Sequence, residues 1–141
     1  MDTEAIQAFL AQPHDAVIAT NRPGKAPQLS TVWVLWDGES FVFTTEKTTA
    51  KYANIVRDPN IAVMVNDSAT HTYVNAYGRA EMVEPERYPE LWNALFEKYV
   101  PAEIREQSIE ANKAYEQAAR IIIVLKPEKI ISYGWDALAT Q

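Results

Sequence analysis

The chain has 141 residues, of which 48% are hydrophobic and 23% charged, with a formal net charge of −6 and no cysteine. Residues 1–141 fit one domain with a core of its own, and the balance of apolar and charged residues is that of a globular chain. The missing cysteines exclude disulfides, thiolate metal centres, iron–sulfur clusters and thiol nucleophiles, and an acidic chain without a basic run speaks against a nucleic-acid partner.

Taken in chain order, "DTEAIQAFLAQ" places Ile6, Phe9 and Leu10 at helical spacing, and Pro13 stops that helix. "AVIAT" (16–20) reads as a strand and "NRPGK" as a turn. "QLSTVWVLW" (28–36) reads as one strand, nearly continuous in apolar residues, and "DG" (37–38) as a hairpin turn into the strand "SFVFTT" (40–45). Thr48 or Thr49 caps the following helix, whose Tyr52, Ile55 and Val56 share a face and which ends at "RDP". "NIAVMVN" (60–66) is a further strand, and residues 70–84 form one long strand with Gly78 at a bulge. Residues 85–100 are helical, with Leu91, Leu95 and Phe96 on one side. Residues 101–120 make a polar helix, and two strands close the chain around "KPEK" within 121–135. The pattern predicts a mainly β (α+β) fold, a six-stranded antiparallel barrel with flanking helices. No glycine-rich loop of the dinucleotide or Walker type is present.

The first residues lack a basic region followed by a long apolar run, and the apolar run inside "RIIIVLK" has only five residues. Neither a secretory signal nor a membrane span is expected, and the cytoplasm is the expected location.

The stretch "FTTEKTTAK" gathers Thr44, Thr45, Thr48, Thr49 and Lys51 around a strand-to-helix turn. A helix start exposes unpaired N–H groups, here around Thr48–Ala50, and attracts anions. Threonine hydroxyls add neutral donors and Lys51 a full charge, a combination suited to a phosphate. Ordinary capping with a solvated lysine uses the same residues. Gln28, Ser30 and Thr31 are polar residues at the start of an otherwise apolar strand. Together with the backbone as far as Val32 they suit the heteroatom edge of a flat ring, or simple strand-end hydrogen bonding. His71 and Tyr73, with Tyr77, are placed to line a pocket or a plain strand face. No nucleophile elbow, paired carboxylates or metal-ligand spacing is present, so no catalytic residue and no metal ligand is assigned. "QLSTVWVLW", apolar on both strand faces, together with Trp33, Trp36 and Trp135, predicts a homodimer.

The order of "PQLSTVWVLWDG", "FTT…AKYANIVRDP", "YVNAYGRAE" and "SYGW" resembles the split β-barrel flavin-binding family related to pyridoxamine 5′-phosphate oxidase. Within it the chain is most similar to the probable deazaflavin (coenzyme F-420)-dependent reductases. The resemblance implies an oxidoreductase that binds F-420 and passes hydride to a small acceptor. The alternative is an FMN-binding protein with FMN-dependent or no activity; a haem binder is less well supported, since only His14 and His71 offer axial ligands. It also implies a homodimer with the cofactor at the interface. The strand Gln28–Trp33 would then lie along the ring, the turn Thr44–Lys51 hold the phosphate with Lys51 as its main cation, and His71 and Tyr73 reach the site from the partner. Many deazaflavin-binding relatives carry an arginine two residues before that lysine, where this chain has Thr49. "SYGWDALATQ" also lacks the arginines expected for vitamin B6 oxidation.

Overall fold

The computed structural model describes residues 1–113 and 119–134. Trp135 and positions 114–118 of the helix predicted over 101–120 lie outside the described residues; the described helix there ends at Ala111, and Arg120, expected in that helix, opens a strand instead.

Helix α1 (Thr3–Leu10) starts at Asp2, whose carboxylate accepts the Ala5 N–H at 2.8 Å, and it buries Phe9 and Leu10 in the main core. Strands β1 (Asp15–Arg22) and β2 (Lys25–Val32) form a hairpin through Gly24, whose φ of +64° suits a residue without a Cβ. The short β3 (Leu35–Trp36) pairs with β4 (Phe41–Glu46). Between them Asp37 Oδ1 accepts the N–H groups of Glu39 and Ser40, and Gly38 takes φ +98°. Helix α2 (Ala50–Arg57) then leads into β5 (Asn60–Asp67) and the long β6 (Thr72–Val83). A 3₁₀ turn at Pro85–Arg87, helices α3 (Leu91–Tyr99) and α4 (Ala102–Ala111), and strands β7 (Arg120–Leu125) and β8 (Lys129–Tyr133) complete the described chain.

The strands form one antiparallel sheet in the order β2-β1-β5-β6-β7-β4-β3, with β8 also on β6. The sheet has eight strands rather than the six predicted, and no ladder joins β2 to β3, so hydrogen bonds do not close it into a barrel. The mainly antiparallel α+β class is as predicted. One of the two extra strands has a clear cause. The run 28–36 is not continuous: Val34 N–H donates to Tyr99 Oη at 3.3 Å, and Val34 O accepts Lys98 Nζ at 2.7 Å. Side chains of α3 thus take the backbone groups that a strand partner would need, and the run divides into β2, which pairs with β1, and β3, which pairs with β4.

The main core packs Ile18, Val63, Val74 and Ala76 against Phe41, Phe43, Ile123 and Leu125. Val42 and Ile122, on the opposite face of β4 and β7, bury Leu91 and Leu95 of α3. Both faces of β4 and β7 are therefore covered, which is why "FVF" and "IIIVL" read as continuous apolar runs. Two other expectations change. Val56 is exposed, while Ile55 is buried beside the buried Asn54. Gly78 is not at a bulge, since β5 and β6 pair in unbroken register from Asn60↔Arg79 to Asp67↔Thr72. A Cβ there would meet Leu125 Cδ1 at 2.9 Å and Lys126 O at 3.1 Å, so glycine is required by the close approach of the β7–β8 turn. Among the described residues no helix is long and apolar enough to cross a membrane.

Candidate functional site

A cavity of about 970 Å³ opens between the start of β1, the end of β2, the strand-to-helix turn after β4, and α3. It gathers six residues expected at the site: Thr31, Val32, Thr44, Thr45, Thr49 and Lys51. Trp33, Trp92, Leu95 and Tyr99 supply an apolar wall, with Trp33 stacked on Tyr99 at 5.3 Å.

The turn is built by its own threonines. Thr49 is the N-cap of α2: its hydroxyl accepts Tyr52 N–H at 3.2 Å and donates to Glu46 O at 2.9 Å. With that proton so engaged, the 3.1 Å contact between Thr45 Oγ1 and Thr49 Oγ1 has Thr45 as donor. Thr44 Oγ1 donates to Ile121 O at 3.3 Å. All three hydroxyl protons thus have internal acceptors. These threonines shape the turn, contrary to the expectation that they stand ready as neutral donors.

Lys51 is different. It lies half-buried in the first turn of α2, and its ammonium has no hydrogen bond or ion pair among the described residues. Its pKa is lowered, first by burial and then by the charge of Arg120. An ammonium held out of water without a partner is the group that an anion would stabilise.

Arg120 is the neighbour that the sequence reading did not single out. It opens β7 directly opposite Glu46, donates Nε–H to Thr44 Oγ1 at 3.2 Å, and pairs through Nη1 with Glu46 Oε1 at 3.3 Å. Its guanidinium lies 5.2 Å from the centre of the Trp92 ring. Burial lowers its pKa and Glu46 opposes that shift. No local signal marked it: the sequence puts Arg120 at the end of a polar helix, and only the pairing of β4 with β7 sets it opposite Glu46.

The remaining expected residues lie outside this cavity. Gln28 Oε1 accepts from Asn54 Nδ2 at 2.9 Å and Thr20 Oγ1 at 3.4 Å, inside the sheet. Ser30 is half-buried opposite Ile18, and Ala50 is exposed at the start of α2. His71 is exposed with a φ of +50°, its ring edge-on to Tyr133 at 5.6 Å. Tyr73 stacks on Tyr133 and pairs in register with Asn66, which does line the cavity.

The family model described as pyridoxamine 5′-phosphate oxidase matches residues 2–134. The chain belongs to that family. Among solved structures the fold is similar to a conserved hypothetical protein of Mycobacterium tuberculosis, with a TM-score of 0.79 and 22% identity over 99% of this chain and 88% of that one. It is also similar to an F420 reductase, with a TM-score of 0.69 and 27% identity over 89% and 94% of the two chains. A third is a pyridoxamine 5′-phosphate oxidase-related, FMN-binding protein of Nostoc punctiforme PCC 73102, with a TM-score of 0.66 and 13% identity over 94% and 83%. Comparison with curated proteins gives no match. Within this family's fold, the donor set at the turn (Lys51, without a partner among the described residues, beside Arg120 at a helix start) fits the phosphate of a flavin-type cofactor. The cavity is of the size usual for cofactor sites.

Proposed function

We propose that the protein is an oxidoreductase that binds the deazaflavin F-420, with FMN as the competing ligand, and passes hydride to a small acceptor. The observation that carries this reading is the half-buried Lys51 ammonium, without a partner among the described residues, at a cavity that also reaches the apolar end of β2. The bound cofactor supplies the redox chemistry. The chain grips its phosphate at Lys51, lays Thr31 and Val32 along the ring, and keeps water from one side with Trp33, Trp92 and Tyr99.

A second copy of the chain completes the site in this reading. Leu29, Met64, Tyr77 and Ile131 are exposed, and strand register puts them on one sheet face with Val17 and Thr31. Asn75 lies on the same face between Met64 and Ile131, and its buried Oδ1 has no donor among the described residues. Packing that face on its equivalent would give Oδ1 a donor and bring the Tyr73 edge of one protomer toward the other's cavity. A stable homodimer buries about 2,000 Å² or more. Sedimentation should therefore give twice the chain mass of 15.9 kDa; a monomer at micromolar concentration would contradict the dimer.

The test of the cofactor reading is Lys51→Ala. A charge-assisted hydrogen bond contributes roughly 1.5–3 kcal/mol, about 10- to 150-fold in affinity. Calorimetric titration should show that loss for the physiological cofactor. Equal affinity of variant and wild type for both cofactors would refute the reading.

A further inference from the structure

We propose that Arg120 is the second cation of the anion-binding corner, and that Glu46 both aims it and competes with the bound anion for it. This rests on the cofactor reading above and extends it to the class of group bound there: a phosphate ester held by a lysine from one element and a guanidinium from another.

Among the described residues, three side chains orient the guanidinium. Nε–H is held by Thr44 Oγ1, Nη1 by Glu46 Oε1, and one face lies against Trp92. Each comes from an element that also lines the cavity, so Arg120 is oriented before any ligand arrives. A planar guanidinium with parallel N–H groups matches phosphate oxygens in a way that a flexible ammonium does not. Lys51 and Arg120 both line this one cavity, together with Thr44, Glu46 and Thr49 of the same turn. Two like charges held together in a half-buried corner repel each other. Glu46 engages the arginine end of the pair, while Lys51 has no acidic partner among the described residues. A bound phosphate would lie against both cations and would meet the Glu46 carboxylate as a rival.

That rivalry gives the two partners of one ion pair opposite signs. Removing Arg120 weakens the anion's hold. Removing only the charge of Glu46 strengthens it, because Arg120 is released toward the ligand and a repelling charge disappears. A merely structural ion pair would behave otherwise, since loss of either partner would loosen the same strand end and weaken binding alike.

The experiment is a calorimetric and fluorescence titration of the full chain and of Arg120→Gln, Arg120→Lys and Glu46→Gln. The probes are FMN against riboflavin, and F-420 against its phosphate-free deazaflavin core. Thermal melts confirm that each variant folds. For the phosphorylated form of the physiological cofactor, Arg120→Gln should bind about 10- to 100-fold more weakly, and Arg120→Lys should recover part of the loss. Glu46→Gln should bind a few-fold more tightly. The phosphate-free forms should be unaffected by all three. The inference is overturned if Arg120→Gln binds as wild type does, or if Glu46→Gln weakens binding in step with it. If Lys51→Ala is weakened while Arg120→Gln is not, the cofactor reading stands and this inference alone fails. If wild type holds neither phosphorylated form more tightly than its phosphate-free partner, both fail together.

Discussion

Replacing Lys98 by methionine tests the device that divides the run 28–36 into two strands. Lys98 Nζ donates to Val34 O at 2.7 Å and to Leu10 O at 3.0 Å, tying α3 to the end of α1 and to the strand break. Each charge-assisted bond contributes roughly 1.5–3 kcal/mol. Burial of the ammonium opposes this: it lowers the Lys98 pKa from 10.5 to about 8, at about 1.4 kcal/mol per unit before discounting for its partly solvated position. Val34 O and Leu10 O both lose this donor: Tyr99 Oη stands 3.4 Å from Val34 O, but its one proton has the nearer acceptor His14 O at 3.0 Å. The net loss for Lys98→Met at pH 7 should be about 1–3 kcal/mol. The pH dependence adds a second reading. Because the folded pKa lies below the unfolded one, the unfolded chain holds more protons between about pH 8 and 10.5, and stability from this group rises with pH across that window. The variant lacks that rise, so the gap between wild type and variant should widen by on the order of 1 kcal/mol between pH 7 and pH 9.5. Urea unfolding followed by tryptophan fluorescence at both pH values measures it. Equal stability at both, or a gap that narrows at high pH, would refute the reasoning.

Gly78→Ala should destabilise the fold by about 1–3 kcal/mol, because its Cβ would press on Leu125 Cδ1 and the backbone oxygen of Lys126; an unchanged urea midpoint would show that the β7–β8 turn yields freely. Affinity for a phosphorylated cofactor should fall on the alkaline side at a lower pH than an ordinary lysine would cause, because burial and Arg120 lower the Lys51 pKa and binding needs the charged form. Titrations across a pH series in wild type and Lys51→Arg check this, and the arginine variant should keep its affinity to higher pH.

Much of the fold was legible because local signals agreed with tertiary packing. The Asp37–Gly38 turn, the Thr49 cap, and the Leu91–Leu95–Phe96 face all stand where periodicity and turn chemistry put them. The break at Trp33–Val34 was not legible, because it is made by Lys98 and Tyr99, more than sixty positions away. Val56 satisfies the helical period as well as Ile55 does, yet the buried position beside Ile55 goes to Asn54, which bonds Thr20 and Gln28. The same network draws Gln28 inward, away from the ring position expected of it. At the candidate site, the strand-to-helix turn Thr44–Lys51 could be read as one unit because its residues are contiguous. Arg120 could not, since only the β4–β7 register brings it to Glu46 and Thr44.

The most direct test of the central claim is a spectroscopic titration of the purified full chain with F-420 and, separately, with FMN. Binding of one of them at low micromolar concentration or tighter, about tenfold or more stronger than its phosphate-free counterpart, is the expected result. The absence of binding to both at concentrations near 1 mM, where the interaction would be worth only about 4 kcal/mol, would contradict the account.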